Sequence, residues 1–276
     1  MTLPLKLRRK AHPCIRRHAP MALHPSRSIT LAWLLAALIG ISPAAEHHQP
    51  IGILPIGDSI TDGDGRHDSY RRHLWHLLRN AEYKVDFLGS RHLNGYYNEQ
   101  PPNPDFDMDH EGHSGWTTRD VLSELSGSGE GRGQLGDWLS THAPAFILLQ
   151  IGTNDILKCE DTNGIVARIK QMVAIIHSIT PSSTILISTV LPLGSAQSLG
   201  FDDAYCPGKR GLDTAVNALN QNLQGVLSEV ARVDIVDLNR AIDPASDLYD
   251  GIHPNASGER RIAEAWFAAM TPATTR

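Results

Sequence analysis

Residues 51–59 read IGILPIGDS, an apolar run that ends in glycine, aspartate and serine. A short apolar run closed by a glycine is typical of a buried strand in a parallel sheet. Further strands are predicted at 84–88, at 146–151 (FILLQI), at 184–190 with its β-branched residues, and at 233–238. The opening stretch is therefore the first of five predicted strands, and Ser59 follows it directly.

Stretches with helical periodicity separate these strands. They cover residues 69–81, 117–126, 134–141, 163–180, 212–231 and 256–270, and long polar loops remain at 89–114 and 191–211. Asp68 is expected to cap the first helix, and Pro181 to end the fourth. Strands that alternate with helices predict an α/β fold: a three-layer α/β/α domain of flavodoxin-like type, with a five-stranded parallel sheet. Because no internal repeat is visible, we expect a single domain over residues 46–276.

The first 45 residues differ in composition from the rest. A basic stretch precedes the apolar run LAWLLAALIGI (31–41), and the small residues SPAA (42–45) follow it. This order is typical of a secretory signal peptide, and the run is shorter than the ~20 residues that span a bilayer. We expect residues 1–45 to be an N-terminal extension and signal peptide, and the protein to be secreted or periplasmic. An uncleaved anchor is the alternative, and Met1 and Met21 are both candidate starts.

The charge of the chain excludes some partners. Seven of its 25 basic residues and none of its 30 acidic residues lie before residue 46, so the remainder carries a net charge of −12. Such a surface repels nucleic acid and anionic membranes. We expect no nucleic-acid partner, no stable membrane association after cleavage, and a monomer. Removal of Cys14 leaves Cys159 and Cys206, which either form a disulfide or remain free thiols.

Four polar motifs lie at the predicted ends of strands. They are GDSI (57–60), GHSGWT (112–117), GTND (152–155) and DGIHPN (250–255). The first and third directly follow strands, the second follows the loop after strand two, and the fourth precedes the last helix. Ligands of open parallel sheets bind beyond the carboxyl ends of the strands. The motifs are therefore expected to form one site.

The residue types in these motifs suit nucleophilic catalysis. A serine such as Ser59 is a weak nucleophile until an imidazole removes its proton, and the imidazole needs a carboxylate to fix its tautomer. His253 and Asp250, three residues apart, can meet within one turn. Negative charge that develops on an ester oxygen needs preorganised N–H donors. The backbone N–H groups of Ser59 and Gly115 and the side chain of Asn154 are the candidates for this oxyanion hole.

On these four motifs the chain resembles the SGNH hydrolases, which are also called GDSL esterases and lipases. Ser59, Gly115, Asn154 and His253 match the residues that give the family its name, and Asp250 matches the third member of the triad. The first motif reads GDSIT, a mild departure from GDSL. The resemblance extends over about residues 51–270. It implies a flavodoxin-like fold, ester hydrolysis through an acyl-enzyme, and neither a metal nor any other cofactor.

A narrower resemblance rests on three longer stretches. DSYRR (68–72), VDFLGS (85–90) and DHEGHSGW (109–116) are similar to sequences of carbohydrate esterase family 3, whose members include acetylxylan esterases. This resemblance implies that the substrate is an acylated carbohydrate, and that acetyl groups are removed from plant-type polysaccharide.

Two other functions remain open at this stage. A lysophospholipase, a thioesterase or a broad-specificity arylesterase of the same superfamily would use the same machinery on a different small ester. The loops 89–114 and 191–211 are rich in Asn, Asp, Gly and Pro, which favours a polar substrate over a long acyl chain. A non-catalytic glycan-binding protein on this fold is the other alternative.

Three residues beside the predicted site are candidates for substrate binding, each with a structural alternative. Trp116 could be a platform for a sugar ring or a core or lid residue. Asp58 and Asp155 could contact the substrate or hydrogen-bond within their own turns. Arg71 and Arg72 are expected on a solvated helix face, where they could also bind a substrate carboxylate.

A cluster of acidic and histidine side chains precedes Gly115. Its spacing matches neither a calcium loop of the EF-hand type nor a zinc signature. We therefore expect a hydrogen-bonded loop and no metal. The cluster consists of Asp105, Asp107, Asp109, His110, Glu111 and His113.

Overall fold

The computed structural model describes residues 49–123, 133–195 and 211–274. They belong to one compact unit, His48–Arg276. The predicted signal segment lies outside the described residues. The strands are β1 Ile51–Gly57, β2 Val85–Phe87, β3 Glu111–Gly112, β4 Phe146–Gln150, β5 Thr184–Ser188 and β6 Val233–Val236. The helices are α1 Ser59–Asp62, α2 Ser69–Asn80, α3 Thr118–Ser123, α4 Gly133–His142, α5 Thr153–Leu157, α6 Thr162–Ile179, α7 Leu212–Leu227, α8 Leu238–Ala241 and α9 Ala256–Thr274.

The sheet confirms the predicted α/β fold. Its strands are parallel and lie in the order β2-β1-β4-β5-β6. The chain runs from β1 to β2 on one side and later returns to place β4 on the other side of β1. The carboxyl ends of β1 and β4 therefore flank the point where the strand order reverses, which is where ligands bind in sheets of this kind.

A sixth strand, β3, was not predicted from the sequence. It pairs with the end of β1, at Ile56 and Gly57, beyond the residues that β2 reaches. Two residues are too few to show an alternating pattern, so residues 111 and 112 were assigned to the loop 89–114. This short strand brings the predicted second motif beside the first.

The two faces of the sheet are covered by separate layers of helices. Successive side chains of a strand point to opposite faces. Ile53 of β1 joins a buried cluster with α2 and α9, in which Trp266 is fully buried. Leu54, the next residue, joins the cluster with α6 and α7. Because both faces are buried, the central strands β1, β4 and β5 consist mainly of apolar residues, whereas the edge strands β2 and β6 each expose one aspartate, Asp86 and Asp234. Each buried apolar side chain contributes about 1.5–3 kcal/mol to folding.

The start of α2 differs from its prediction. Asp68 precedes the helix, but its side chain makes no capping bond. Its carboxylate instead accepts hydrogen bonds from the backbone N–H of Asn103 at 2.9 Å and from the Asn103 side-chain amide at 2.7 Å. The backbone of Asp68 is helical, whereas a capping residue is usually extended. Asp68 therefore holds the long loop against α2.

The end of one helix and the number of helices also differ from the prediction. The fourth predicted helix ends at Ile179, before Pro181, as expected, but α7 ends at Leu227 rather than at residue 231. The short helices α1, α5 and α8 were not predicted. Within the described ranges no helix is long and apolar enough to cross a bilayer. Cys159 is disulfide-bonded, and Cys206, its partner in the disulfide alternative, lies outside the described residues.

Candidate active site

The end of β1 presents the candidate nucleophile. Asp58 caps α1, since its buried carboxylate accepts the Ile60 N–H at 3.0 Å. Gly57 must be a glycine, because a Cβ there would lie 2.4 Å from the Gln150 carbonyl oxygen. Ser59 is thus the first residue of a helix, and its N–H has no partner in that helix.

Ser59, His253 and Asp250 form a continuous chain of hydrogen bonds. The Ser59 Oγ lies 2.8 Å from His253 Nε2, and His253 Nδ1 lies 2.7 Å from Asp250 Oδ2. The other carboxylate oxygen accepts the N–H of His253 at 2.7 Å and that of Ile252 at 2.9 Å. With Nδ1 donating to the carboxylate, the neutral imidazole presents the lone pair of Nε2 to Ser59.

The charges around His253 suit a base. Burial lowers the pKa of His253, but the hydrogen bond and charge of Asp250, with the charges of Asp58 and Asp64, outweigh it and raise the pKa above 6.5. Burial raises the pKa of Asp250, but the hydrogen bonds from His253 and Ile252 outweigh that effect and lower it to about 2. Asp250 is therefore ionised at neutral pH and favours a proton on His253.

A turn after β3 carries Gly115. The His113 N–H donates to the Gly57 carbonyl at 2.9 Å, and the Trp116 N–H closes the turn on the His113 carbonyl at 3.1 Å. Gly115 has φ +83°, a conformation that favours glycine, and a Cβ there would meet no atom within 4 Å. Gly112 has a different role, because a Cβ there would lie 2.5 Å from the Asp62 nitrogen of α1.

Asn154 of α5 completes the group. Its side-chain amide donates one N–H to the Trp116 carbonyl at 2.9 Å, which orients the amide and leaves a second N–H. Ser59, Gly115, Asn154 and His253 line one cavity of about 410 Å³. Within the described part of the chain, the backbone N–H groups of Ser59 and Gly115 have no protein acceptor. The structure therefore brings the predicted catalytic and oxyanion-hole residues together at the switch point of the sheet.

Asp62, at the end of α1, supports this arrangement, and sequence analysis missed it. The carboxylate is fully buried. It accepts hydrogen bonds from the Ser114 hydroxyl at 2.7 Å, the Ser114 N–H at 3.1 Å, the Gly95 N–H at 2.8 Å and the Arg91 guanidinium at 3.3 Å. Asp62 thus ties the helix of Ser59 to the turn of Gly115.

Arg71 is also fully buried, so the prediction of a solvated position is wrong for this residue. Its guanidinium donates to the carbonyls of Thr61 at 2.8 Å, Asp62 at 3.0 Å and Met108 at 2.6 Å, and to the Asn94 side chain at 2.6 Å. The first two carbonyls are at the end of α1, which leaves them without helical partners. Burial lowers the pKa of Arg71 to about 10, and the group keeps its charge at neutral pH.

None of the three predicted substrate-binding residues lines the cavity. Asp58 and Asp155 are fully buried, so neither carboxylate is available to a substrate. Asp155 accepts the Thr118 N–H at 2.8 Å and the Arg168 guanidinium at 3.0 Å, which joins α3 to α5. Trp116 stacks on His113 with ring centroids 3.8 Å apart and packs against the core, outside the cavity wall.

The acidic and histidine residues of 105–113 have separate partners. Asp105 forms an ion pair with Arg72 at 2.6 Å, and Glu111 accepts the Ser90 hydroxyl at 3.1 Å. In the ranges that the structure describes, no three metal-ligating side chains converge on one point. The segment is a hydrogen-bonded loop up to residue 110, followed by β3, which leads into the turn of Gly115.

Aromatic side chains that the sequence analysis did not single out form the cavity wall. The rings of His67 and Tyr249 stack with centroids 4.2 Å apart, and Tyr249 lies 5.8 Å from the ring of His253. Tyr96 and Tyr97 line the mouth and are about four-fifths exposed. No motif surrounds His67 in the sequence, so the sequence alone gave it no role.

Comparison with known proteins agrees with this geometry. Residues 56–261 match the GDSL-like Lipase/Acylhydrolase family. A multidomain esterase of Ruminococcus flavefaciens is 29% identical over 262 residues, which cover 92% of this chain and 32% of that protein. The chain therefore spans about a third of the length of this relative.

Solved structures share the fold. A family 3 carbohydrate esterase of Clostridium thermocellum superimposes with a TM-score of 0.59 at 28% identity, over 82% of this chain and 99% of that one. A carbohydrate esterase of family 3 from Talaromyces cellulolyticus superimposes with a TM-score of 0.62 at 23% identity, over 81% and 97%. The resemblances seen in the sequence are confirmed. The chain belongs to the GDSL-like lipase/acylhydrolase family.

Proposed function

We propose that this protein is an exported serine esterase that removes small acyl groups, above all acetyl, from carbohydrate through an acyl-enzyme intermediate. The observation that carries the proposal is the hydrogen-bonded chain Ser59–His253–Asp250, which opens into a cavity shared with Gly115 and Asn154. The geometry matches what a serine nucleophile requires.

The first half of the reaction forms the acyl-enzyme. The Ser59 Oγ attacks the carbonyl carbon of the ester, and His253 Nε2 takes the hydroxyl proton. The N–H groups of Ser59, Gly115 and Asn154 stabilise the charge on the carbonyl oxygen, and each such donor contributes roughly 10²–10³ in kcat. As the tetrahedral intermediate collapses, His253 returns the proton to the leaving sugar oxygen.

The second half regenerates the enzyme. A water molecule gives a proton to His253 Nε2 and attacks the acyl carbon on Ser59. Collapse releases the carboxylic acid and returns the proton to the Ser59 Oγ. Asp250 remains ionised throughout and holds the imidazole in one orientation, as expected from its low pKa.

Several features support acetyl and carbohydrate as the substrate. A cavity of about 410 Å³ suits a small acyl group with part of a sugar. Gly95, Tyr96, Tyr97 and Glu99 of the polar loop 89–114 line it, and DHEGHSGW (109–116) leads into the oxyanion glycine. The relative at 28% identity is a family 3 carbohydrate esterase. Export is proposed from residues 1–45, and a mature N-terminus close after Ala44 or Ala45 would support it.

Acetate release from acetylated xylan tests the proposal, with p-nitrophenyl acetate and p-nitrophenyl octanoate measured in parallel. Ser59→Ala is the inactive variant. Ser182→Ala, an exposed serine at the opposite end of the sheet, is the matched control. Release from xylan that requires Ser59, with weak octanoate turnover, supports the proposal. Strong octanoate turnover without release from xylan would indicate a lipid or general esterase instead.

A further inference from the structure

The exposed aromatic residues are concentrated around the cavity. Among the described residues, the exposed large hydrophobic side chains are Tyr96, Tyr97, Tyr249 and Val226. The three tyrosines line the cavity of Ser59, whereas Val226 lies on α7. Exposed aromatic residues grouped beside a site usually mark a binding surface.

The turn that carries Tyr96 and Tyr97 is closed on itself. Asn94 and Glu99 exchange both backbone hydrogen bonds, at 2.8 and 2.7 Å, and the Asn98 N–H donates to the Gly95 carbonyl at 3.2 Å. We call residues 94–99 the tyrosine turn. It presents the two rings at right angles, with centroids 5.4 Å apart.

Buried polar residues hold the root of the tyrosine turn. Asn94 is fully buried and accepts a hydrogen bond from Arg71 at 2.6 Å. The Gly95 N–H donates to the buried carboxylate of Asp62 at 2.8 Å, and the Gly95 carbonyl accepts from Arg91 at 3.0 Å. Two largely exposed rings are therefore held by a polar base in which Asn94 and Asp62 are fully buried. Such preorganisation lowers the entropic cost of binding a ligand.

The chemistry of this surface indicates its ligand. A tyrosine offers an apolar ring face, which can stack on the C–H face of a sugar ring, and a hydroxyl for hydrogen bonds. Aliphatic side chains also line the cavity, but the exposed large hydrophobic residues that the structure describes there are tyrosines, which favours a sugar over an acyl chain at its mouth. The aliphatic residues are Ile60, Leu157, Ile252 and Ile262. Asp64 and Glu99 also line the cavity, and their charges repel an anionic lipid headgroup or an acidic sugar.

We propose that Tyr96 and Tyr97 form a subsite for the sugar chain of a neutral acetylated polysaccharide, next to the sugar whose ester Ser59 cleaves. The inference rests on the proposed function and adds the place where the polymer binds. It predicts that the tyrosines matter for a polymeric ester much more than for a small one, because a small ester has no further sugar to place on them.

The test compares Tyr96→Ala, Tyr97→Ala and the double variant, all made from the full chain. Val226→Ala is the control for loss of an exposed apolar side chain away from the cavity. The measured quantity is kcat/KM for acetylated xylan divided by kcat/KM for p-nitrophenyl acetate. We expect the double variant to lower this ratio about tenfold, since truncation of a central aromatic contact commonly costs at least that much in affinity. Replacement of both tyrosines by phenylalanine should keep most of the ratio, because the ring faces remain.

A second measurement does not depend on turnover. Deacetylated xylo-oligosaccharide should bind to Ser59→Ala and bind about tenfold more weakly to the same protein with both tyrosines replaced by alanine. Wild-type activity on acetylated xylan, with an unchanged ratio and unchanged binding in the double variant, would overturn the subsite and leave the proposed function standing. Failure of the wild type to deacetylate or bind any polysaccharide would overturn both. A selective loss of octanoate turnover in the double variant would assign the tyrosines to an acyl chain and overturn the subsite.

Discussion

Replacement of Asp62 by asparagine is expected to lower both the stability and the catalytic rate of the protein. The carboxylate is fully buried, and it touches none of the reacting groups. It connects α1, which begins with Ser59, to Ser114 and to the tyrosine turn. A change at Asp62 therefore tests whether this connection positions the oxyanion hole.

The size of the stability effect follows from the hydrogen bonds. Four donors meet the two carboxylate oxygens, from Ser114, Gly95 and Arg91. An asparagine keeps one oxygen and converts the other into an NH₂ donor, so the donors on one side lose their acceptor. The Ser114 hydroxyl can rotate to accept, but the Ser114 N–H cannot. Since hydrogen bonds to charged groups contribute about 1.5–3 kcal/mol each, we expect a loss of about 3 kcal/mol in the free energy of unfolding.

The effect on the catalytic rate arises at Gly115, the residue that follows Ser114. Ser114 precedes Gly115, and its release allows the Gly115 N–H to move away from the carbonyl oxygen of the substrate. Complete loss of one oxyanion donor costs roughly 10²–10³ in kcat, so a displaced donor should cost roughly 10- to 100-fold. KM for p-nitrophenyl acetate should change much less, because the donor acts mainly on the transition state.

Urea unfolding and steady-state kinetics on p-nitrophenyl acetate measure the two effects, at a temperature where both proteins are folded. Asp234→Asn is the control, since Asp234 is an exposed carboxylate on β6 and should change stability by less than about 0.5 kcal/mol. The reasoning is refuted if Asp62→Asn matches Asp234→Asn in both free energy of unfolding and kcat.

The remaining predictions concern pH and buried charge. Since His253 must be neutral to accept a proton, kcat/KM should fall as the pH drops through its pKa, which lies above 6.5. Asp64→Asn removes a charge that raises this pKa and should move the fall to lower pH; a wild-type fall centred below about pH 6 would contradict the assignment. Arg71→Met breaks the four hydrogen bonds of a buried guanidinium and should cost about 3–5 kcal/mol in urea unfolding, whereas Arg72→Met at the exposed Asp105 pair should cost less than about 1 kcal/mol. Equal losses in the free energy of unfolding for the two variants would contradict the claim that the buried hydrogen bonds of Arg71 stabilise the fold more than the exposed ion pair of Arg72.

The sheet could be predicted from the sequence because its strands are buried on both faces. Such strands are mainly apolar, although Asp86 and Asp234 are exposed on the edge strands β2 and β6, and each of the five was found within a few residues of its bounds. The strand β3 could not be found in this way. Glu111 and Gly112 pair with the end of β1 through contacts distant in the sequence, and two residues show no period.

The candidate catalytic residues could also be predicted from the sequence, because each lies in a short motif or close to its partner along the chain. Asp250 and His253 are three residues apart, and Ser59, Gly115 and Asn154 each stand in a recognisable motif. The structure brings Ser59, Gly115, Asn154 and His253 into one cavity, with Asp250 hydrogen-bonded to His253, as the strand-end rule predicts.

The residues that support the site could not be predicted from the sequence. Arg71 follows Tyr70 on α2, and an arginine on a helix is usually solvated. Its acceptors are carbonyl oxygens of residues 61, 62 and 108, which no sequence pattern associates with it. Asp62 depends in the same way on Ser114 and Gly95. Asp58 and Asp155 were suggested as substrate contacts by their place in the motifs, but tertiary packing buries both.

The central claim is that Ser59 is a nucleophile activated by His253. A fluorophosphonate, which reacts with activated serine hydroxyls, tests it directly when the labelled peptide is identified by mass spectrometry. We predict one label per chain on Ser59, no label in Ser59→Ala, and labelling at least about 100-fold slower in His253→Ala. A label on another residue, or equal labelling rates in the wild type and His253→Ala, would contradict the account.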